Sequence, residues 1–391
     1  MDIIKIANYI RQNASQNYQN NIGVLNKNSK ITDLSNPLLE YSVIRNEFAQ
    51  GLINVIGETI LNKIATFENP LAKFKRGTLG LGIDTREIAR GLTNGFDYEF
   101  TTEGIAKMFD LYLPEVAECF HRLNRRRIFA LTFSDKELKL ALNSWDDLRT
   151  FIDEQVTILY ETNYQEEYEL MLELIRASVN SDDVKTIEVD EVVDETTGKS
   201  FVNVVKDVAS SFKFRDNSNS AYGRANPTTK IMPVSKTEDI ALIIPYTIKN
   251  KIKVDVLASA FNKDEVAFSV DNVTEVNTLG FIMDDTDPED VKYYQIDAIV
   301  CDKNWFRVLD DADNEVNGND LPTARAYNRY LHIWQTLSTS PFMCVNALVH
   351  EVESTDIPED YFDNLIGRNE VISGDDNNDD NNDDNNVVVG G

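Results

Sequence analysis

The sequence predicts an α+β fold, and three observations support that prediction. Apolar residues recur at steps of three and four from Ser144 to about Val179, which predicts one helix of roughly 50 Å. Short apolar or alternating runs in the second half, such as IALIIP at 240–245, predict strands. Helices and strands do not alternate in the regular βαβα rhythm of a doubly wound sheet. We therefore expect a helical spine with other elements laid across it.

The first third of the chain divides into three parts. Residues 1–36 are rich in Asn, Gln and Ser, and we interpret them as an extended or weakly helical arm outside the core. A helix is predicted next, with Pro37 near its start and apolar residues at helical spacing beyond it. The stretch from about Asn69 to His121 has many glycines and short alternating apolar segments. It is typical of a long loop or β-hairpin that projects from the body.

Capping signals and turn residues place the remaining elements. Ser134 with Glu137, and Ser144 with the acids that follow it, are N-terminal capping patterns for helices. After the long helix we predict a strand from about 184, an acidic turn around Gly198 and a helix through about 212. The later predictions are a strand at 240–245, a helix at 254–262, two strands over 294–310 that turn at 302–304, and a final strand pair over 330–351 that turns near Ser340.

Composition and charge exclude several classes of protein. The 391-residue chain has 38 Lys and Arg against 66 Asp and Glu, a formal charge of −28 that should repel free nucleic acid and anionic membranes. Cys119, Cys301 and Cys344 are too scattered for a disulfide framework and favour free thiols in a reducing cytoplasm. Without a long apolar run or a signal-peptide pattern, we expect a soluble protein that is made inside a cell.

One short stretch, ENPLAKFKRGTLGLGID at 68–84, combines cations with glycines. A P-loop requires a lysine after its second glycine, whereas Lys73, Lys75 and Arg76 precede the glycines here. The glycine spacing is also the reverse of a dinucleotide fingerprint. We interpret the glycines as places where the backbone turns sharply or lies close to another surface. The three cations are then candidates for ion pairs with carboxylates of another copy of this acidic chain.

A second basic cluster, HRLNRRRIF at 121–129, contains Arg125, Arg126 and Arg127. Such a cluster could hold phosphate, but salt bridges to the excess of acids are the favoured interpretation. No array of stacking aromatic residues accompanies it, so the sequence does not support a nucleic-acid platform. His121 stands two residues after Cys119, and we interpret the two as packing residues whose side chains point apart, not as a dyad.

Catalytic and metal sites find little support in the sequence. The three histidines form no HExxH motif or other close metal pair. Asp313 begins an apparent calcium loop, but the bidentate acid expected at its twelfth position falls on Ala324. We therefore predict no catalytic residue, no metal and no cofactor. The tail DDNNDDNNDDNN at 375–386 cannot bury apolar surface and is predicted to be disordered.

Five blocks of sequence occur in the order, and at about the spacing, of one protein family: NPLAKFKRG, SWDDLRTFID, VDVLASAFN, DKNWFRVLDD and YLHIWQTLSTSPFMCVNALV. In these blocks the chain resembles the major capsid proteins of small short-tailed phages of the phi-29 or picovirus type. The resemblance implies the tailed-phage capsid fold, which is Hong Kong 97-like. It assigns 1–68 to an N-terminal arm and first helix, 69–121 to the E-loop, 122–195 to the P-domain with its spine helix, 196–325 to the A-domain, 326–360 to P-domain return strands and 361–391 to a C-terminal segment.

The resemblance also implies a function. Copies would form the pentamers and hexamers of an icosahedral shell around packaged double-stranded DNA, assembled in the host cytoplasm with scaffolding and portal or connector proteins, with no membrane and no sequence-specific DNA binding. The E-loop of such proteins reaches over a neighbouring subunit, which makes Lys73, Lys75 and Arg76, together with the cluster at 125–127, candidate intersubunit contacts. Two alternatives remain open: an encapsulin-like cellular shell, and a soluble acidic two-lobe enzyme or metal-binding protein.

Overall fold

The computed structural model describes residues 3–59, 67–79, 84–95, 111–252, 272–284, 291–311, 315–321, 323–358 and 361. The helix predicted at 254–262, the tail at 375–386 and part of the Gly-rich stretch lie outside these ranges. The described helices are α1 (Ile3–Asn13), α2 (Gln16–Asn21), α3 (Thr32–Glu40), α4 (Ser42–Thr59), α5 (Asp135–Ala141), α6 (Trp145–Asn180), α7 (Glu195–Ser211), α8 (Ala221–Ala225) and α9 (Tyr246–Lys251). None of these helices is long and apolar enough to cross a membrane.

The strands, in chain order, are β1 (Lys75–Leu79), β2 (Thr85–Arg90), β3 (Val116–His121), β4 (Arg125–Ser134), β5 (Lys185–Glu188), β6 (Ile240–Pro245), β7 (Val273–Val276), β8 (Phe281–Asp284), β9 (Lys292–Asp302), β10 (Phe306–Asp311), β11 (Glu315–Leu321), β12 (Ala326–Thr339) and β13 (Val345–Val352). They form two mixed sheets and one separate antiparallel pair.

The N-terminal segment forms helices α1 to α4, which pack against the body. Ile3, Ile6 and Ile10 recur at helical spacing along α1 and are buried. They belong to one apolar cluster with body residues that include Phe133 and Tyr327. The prediction of an arm outside the core is therefore wrong. A short apolar stripe is enough to bury one side of a helix even where Asn and Gln dominate the composition.

The helix expected to begin near Pro37 is two helices. Pro37 lies inside α3, which ends at Glu40, and Tyr41 then adopts an extended backbone with φ −113° and ψ 111°. Helix α4 continues the predicted apolar spacing, with Ile44 and Phe48 buried. The predicted spacing is confirmed at Leu38, Ile44 and Phe48, which are buried, whereas Tyr41 is exposed where the chain turns between the two helices.

Helix α6 confirms the predicted spine. It has 36 residues and therefore extends roughly 54 Å. The Ser144 side chain accepts a hydrogen bond from the backbone N–H of Asp147, which caps the start of the helix. Ser134 and Glu137 form the predicted capping box at the start of α5.

Sheet 1 contains β1, β4, β10, β11 and β12, with the long strand β12 at its centre. Strand β12 pairs along one edge with β4 and along the other with β10 and β11, while β1 joins parallel to β10. One face of this sheet packs on α6, where Leu159 shares an apolar cluster with Leu331 and Ile333. The other face carries Ile128, which is exposed.

Sheet 2 has the strand order β5-β13-β9-β6-β7, and β8 pairs with the first part of β9. Its central strands are nearly continuous apolar runs because both faces are covered. Along β6, Ala241 and Ile243 belong to the apolar cluster that includes α6, whereas Leu242 and Ile244 belong to the cluster that includes α7. Sheet 2 is therefore the middle layer between two helices.

Strands β2 and β3 form a two-stranded antiparallel sheet that we call the ribbon. Thr85 lies opposite His121, and Arg90 lies opposite Val116. The ribbon confirms the β pairing predicted within the Gly-rich stretch. Strand β1 comes from the same stretch but belongs to sheet 1, so this part of the stretch is built into the body.

Two local predictions are wrong. Gly198 lies inside α7, and the turn residue is Asp194, which caps that helix. Strands β12 and β13 follow each other but lie in different sheets, so they are not a strand pair. The domain bounds implied by the resemblance remain a prediction; strands pair across the bound at 325/326, since β10 and β11 pair with β12 while β13 pairs with β9. Strand pairing is non-local, and sequence spacing alone does not specify it. The two strands predicted around 302–304 are confirmed as β9 and β10.

Candidate assembly site

Lys75, from the first cationic cluster, points into the protein. Its Nζ lies 2.7 Å from a carboxylate oxygen of Glu167 on α6 and 2.8 Å from one of Asp310 on β10. Burial opposes the charged form of Lys75, but the two carboxylates outweigh that effect and raise its pKa. Lys75 is therefore a fixed cation between the spine helix and sheet 1.

The other two cations of the cluster are exposed. The Nζ of Lys73 lies 3.3 Å from the backbone carbonyl oxygen of Val273. Arg76 lies at a bulge, where the register of β1 on β10 shifts. Gly77 enables this bulge, since its φ of +101° is one that residues with a side chain rarely adopt. The bulge leaves Arg76 on the surface.

The second cationic cluster lies on β4, where successive side chains alternate between the two faces of sheet 1. Arg125 is buried, with its side chain 2% exposed. Arg126 is exposed on the open face, and its Cζ lies 5.4 Å from the ring centroid of Trp334 on β12. The Nε of Arg127 lies 2.8 Å from Glu166 on α6, as the salt-bridge interpretation predicts.

Both clusters meet in one buried polar network around Glu167. One Glu167 oxygen accepts from Lys75 and, at 2.6 Å, from the side-chain amide of Gln335 on β12. The carbonyl oxygen of that amide accepts from Arg125 at 2.8 Å. The second Glu167 oxygen accepts from Asn69 at 3.0 Å. The network joins the spine helix to three strands through hydrogen bonds between largely buried side chains.

This network changes what the two cationic clusters can do. Lys75 and Arg125 already bind groups of their own subunit, and a buried ion is costly to leave without its partner. Lys73, Arg76, Arg126 and Arg127 retain surface exposure. The intersubunit role remains a prediction, and it is better suited to these four residues.

The ribbon has one face toward the body and one toward solvent. Its exposed face alternates apolar and charged side chains, and Ile88, Val116 and Phe120 are each about half exposed or more, at 46%, 50% and 53%. On the same face Arg86 and Glu118 form an ion pair across the two strands. An apolar strip of this kind, rimmed by charges, is typical of an interaction surface.

The body-facing side of the ribbon is fastened at Glu87. One oxygen of this carboxylate accepts from Arg307 on β10 at 2.5 Å and from Ser340 at 2.9 Å, and the other lies 3.0 Å from Nε2 of His121. The Nδ1 of His121 lies 2.8 Å from the hydroxyl of Ser338 on β12. Each strand of the ribbon is thus tied to the same corner of sheet 1. We call Glu87, His121, Arg307 and Ser340 the Glu87 cluster.

The environment of Glu87 favours its charged form. Burial by itself would raise its pKa, but hydrogen bonds from His121, Arg307 and Ser340 and the charge of Arg307 lower the pKa to about 2. Because the pKa is depressed in the folded protein, this contribution to stability is present above the ordinary value of 4.5 and is lost as the pH falls toward about 2.

The other end of the ribbon is fastened at Glu115, just before β3. One of its carboxylate oxygens accepts from the hydroxyl of Thr229 at 2.5 Å, and the other accepts from the backbone N–H of Lys230 at 2.8 Å. The backbone N–H of Leu92 donates to the carbonyl of Lys230 at 3.0 Å. Gly91 permits this approach, since a Cβ there would lie 3.1 Å from the Lys230 backbone. We call Glu115, Thr229 and Lys230 the Glu115 cluster.

The open face of sheet 1 forms a second surface with apolar and aromatic side chains. Ile128 on β4 is 61% exposed and lies opposite His332 on β12. Tyr330 and Trp334 follow at two-residue spacing and are half-buried on the same face. These aromatic side chains come from β12, whereas the arginines of the second cluster come from its neighbour β4.

The histidines take structural positions. Cys119 and His121 share the body-facing side of β3, so the prediction that they point apart is wrong, because residues two apart in a strand lie on one face. His121 binds Glu87 and Ser338. His350 Nδ1 lies 2.7 Å from Asp297, which stands at a bulge of β9. Among the described residues, no group of three or more His, Cys, Asp or Glu side chains could hold a metal ion.

Sequence reasoning missed the acids that organise this site. Glu167, Glu87 and Glu115 are ordinary members of a set of 66 acidic residues. One signal was available for Glu167. It occupies the buried side of α6, in step with Asn163 and Leu170, where a charged residue predicts a buried partner. No comparable signal distinguishes Glu87 or Glu115, whose partners are more than 100 residues away in most of their contacts.

The overall architecture is that of a phage capsid subunit. The capsid structure of Staphylococcus phage Andhra aligns with this chain at a TM-score of 0.58 and 12% identity, over 74% of this chain and 86% of that one. The likeness shows the fold alone, and it confirms the α+β, Hong Kong 97-like capsid fold that the sequence predicts. The fold therefore defines a structural class, the Hong Kong 97-like capsid fold.

Residues 7–349 match the family described as Phi29-like phage major capsid protein, and the chain belongs to that family. The major capsid protein of Bacillus phage B103 is 29% identical over 354 residues, which cover 90% of this chain and 73% of that protein. The major capsid protein of Bacillus phage PZA is 28% identical over 336 residues, 86% of this chain and 70% of that protein. These matches confirm the predicted family of structural proteins.

Proposed function

We propose that this chain self-assembles as pentamers and hexamers into an icosahedral shell that encloses packaged double-stranded DNA. Scaffolding and portal or connector proteins are its partners, the host cytoplasm is the place of assembly, and the virion is the final location. In this proposal the protein acts by structure and has no catalytic role. Family membership supports the proposal, and so does the distribution of exposed apolar residues.

The ribbon carries the argument for self-association. Of the 19 large apolar side chains exposed in the described part of the chain, seven lie in the ribbon or in the residues that flank it, within 84–95 and 111–121. They are Ile88, Leu92, Leu111, Tyr112, Leu113, Val116 and Phe120. Exposed apolar residues scattered singly are normal, but this concentration is typical of a surface that another protein covers. A second copy is the partner that the family implies.

The open face of sheet 1 is the surface that a neighbouring ribbon would cover. Ile128, Tyr330 and Trp334 offer apolar and aromatic area, and Arg126 adds a positive charge that suits an acidic partner. Arg127 is also exposed but points to the α6 side of sheet 1, where it pairs with Glu166, and the exposed Lys73 and Arg76 lie on or beside β1 in the same sheet. We propose these four cations as intersubunit contacts and leave Lys75 and Arg125 as internal cations of the subunit.

The net charge supports containment of DNA without adhesion. A formal charge of −28 per copy gives a shell whose surfaces repel phosphate. The encapsulin-like and enzymatic alternatives are not favoured by the matches, which are to phage capsid proteins. The enzymatic alternative predicts a small oligomer whose melting temperature rises with a ligand.

Electron microscopy with light scattering tests the proposal directly. The chain is expressed with and without its neighbouring phage genes, and closed shells of uniform diameter are the expected result. A stable monomer or dimer in both preparations would contradict it. Within assembling material, the double variant Lys73→Glu, Arg76→Glu is expected to assemble poorly while the subunit stays folded. Normal shells from that variant would remove these two cations from the interface.

A further inference from the structure

The ribbon is held against its own subunit at two separate places. The Glu87 cluster ties it to a corner of sheet 1, through β10 and the end of β12. The Glu115 cluster ties it to the loop between α8 and β6, which is connected to α7 by a hydrogen bond from the Ser235 N–H to the Phe212 carbonyl. Since α7 covers sheet 2, the ribbon bridges the two sheet layers of the subunit.

Because the ribbon is attached to the body at two points, its orientation is fixed. A single attachment point would let the ribbon rotate about it. At each point a glutamate on the ribbon receives hydrogen bonds from groups of the body, and the Arg307 contact is charge-assisted. The opposite face of the ribbon, with Ile88 and Phe120, is therefore presented to solvent at a fixed orientation. A surface that must meet many identical neighbours benefits from this, because preorganisation lowers the cost of ordering it on binding.

We propose that Glu87 and Glu115 are positioning residues for assembly, which hold the ribbon across the subunit at one angle and so set the geometry of the contact between copies. The inference rests on the proposed function. It goes beyond that function in assigning control of particle geometry to two acids that contact their own subunit. Neither residue needs to touch a neighbour.

The chemistry of the two sites selects the test variants. Glu87→Gln keeps the side-chain size but turns one acceptor into an NH₂ donor, which then faces donors of Arg307, Ser340 or His121. Glu115→Gln leaves one acceptor where Thr229 and Lys230 require two. Glu154→Gln is the matched control, because it makes the same change at an exposed glutamate of α6, outside the ribbon and the open face of sheet 1.

Hydrogen exchange on the unassembled subunit measures attachment of the ribbon. The amides of Leu92 and Lys230 are direct reporters, since each donates across the contact. In the double variant Glu87→Gln, Glu115→Gln their exchange is expected to accelerate by about tenfold or more, because local opening then exposes them. Circular dichroism is expected to stay unchanged. The Glu154→Gln control is expected to exchange as the natural chain does.

Electron microscopy of assembled material then tests the consequence. Particles of mixed diameter, or open sheets, are expected from the double variant, and uniform shells from the control. Uniform shells of normal diameter from a double variant with accelerated exchange would overturn the inference, and so would unchanged exchange. If the natural chain forms no shells in any preparation, the proposed function itself fails, which is a separate outcome.

Discussion

Sheet 1 and sheet 2 are built from the same chain but are covered differently. Sheet 2 lies between α6 and α7, and its strands β6 and β9 are apolar toward both sides. Sheet 1 packs one face on α6 and leaves the other open. Its contact with the spine helix includes the polar network of Glu167 as well as apolar side chains. Sheet 2 therefore contributes mainly to stability, and sheet 1 offers a face for interaction.

This difference shows how one subunit can be rigid and still present a surface that binds other subunits. Apolar burial on two faces supplies a large, non-directional stabilisation, and it holds sheet 2 as a scaffold. A buried network with many defined partners specifies one arrangement of helix and strands more than it adds net stability. Sheet 1 is thus positioned accurately while its outer face remains free for a neighbour. Substitutions in the two sheets should separate these roles.

The largest loss of stability is expected from Glu167→Ala. This change leaves Lys75 and the Gln335 amide buried with fewer partners, and breaking a buried ion pair in this way costs about 3–5 kcal/mol. Urea unfolding of the unassembled subunit measures it. Glu154→Ala is the control, since Glu154 lies exposed on the same helix. Equal stability of the two variants would contradict the role given to the network.

Large losses are also expected from both faces of sheet 2. Ile299 belongs to the cluster with α6 and Ile244 to the cluster with α7, and both are fully buried. Replacing either with Ala should cost about 2–5 kcal/mol through lost burial and a cavity. Ile128→Ala on the open face of sheet 1 should change stability by about 0.5 kcal/mol or less. A small effect at Ile299 or Ile244 would show that this sheet is not covered on both sides.

Replacement of Arg329 on β12 is expected to increase the stability of the subunit. It is fully buried, its guanidinium lies 4.8 Å from the ring of Phe133, and its nitrogens have no hydrogen-bond partner in the described protein. Burial lowers its pKa to about 10. Arg329→Met should therefore stabilise the subunit, by about 1–4 kcal/mol on the scale of other buried charges replaced by apolar residues. Arg125→Met, which removes a bonded arginine, should destabilise it instead. A less stable Arg329→Met protein would indicate a partner for this cation.

His350 in sheet 2 should make a smaller contribution to stability, and that contribution should depend on pH. Burial opposes its charged form, but the Asp297 carboxylate outweighs it and raises the pKa of His350. The stabilisation is therefore complete below the ordinary value of 6.5 and is lost as the pH rises through the higher folded value. In the natural chain the free energy of unfolding should therefore fall between pH 6 and pH 8, by at most about 1.4 kcal/mol per pH unit. This fall should be absent in His350→Gln. Identical pH profiles for both proteins would contradict this.

The smallest effect on subunit stability is expected at the interaction surfaces. Ile128→Glu and Phe120→Asp place charges on side chains that are already exposed, so the melting temperature should hardly change. Assembly measured by light scattering should fall sharply, because each charge would be buried without a partner between copies. Val193→Glu is the control, with a similar exposure of 65% outside both surfaces. Equal assembly of all three variants would remove these surfaces from the interface.

Much of the local structure could be predicted from the sequence. The capping box at Ser134, the cap at Ser144 and the apolar spacing of α6 depend on residues within a few positions of one another. The stretch at 294–310 and the strand at 240–245 were recognisable for the same reason. The N-terminal helices were missed because their apolar stripe is short and lies among polar residues.

The sequence predicts which types of residue form the candidate site, but it does not predict how they are arranged. The two cationic clusters were identified, yet nothing in KFKRG or NRRRIF indicates that Lys75 and Arg125 are inside while Lys73 and Arg126 are outside. That division follows from the pleat of β4 and from the bulge at Gly77. The partners that explain it come from α6, β10 and β12, each far along the chain.

By itself, the sequence determined the fold class, the spine helix, the strong negative charge and the resemblance to a capsid family, because these depend on composition, local periodicity and ordered blocks. Only the tertiary structure decided which strands pair, which cations are buried and how the ribbon is held. Those outcomes depend on contacts between residues more than 90 positions apart, such as Lys75 with Glu167 and Glu87 with Arg307. Local pattern cannot specify such contacts, since their free energy arises only when distant segments pack and exclude water.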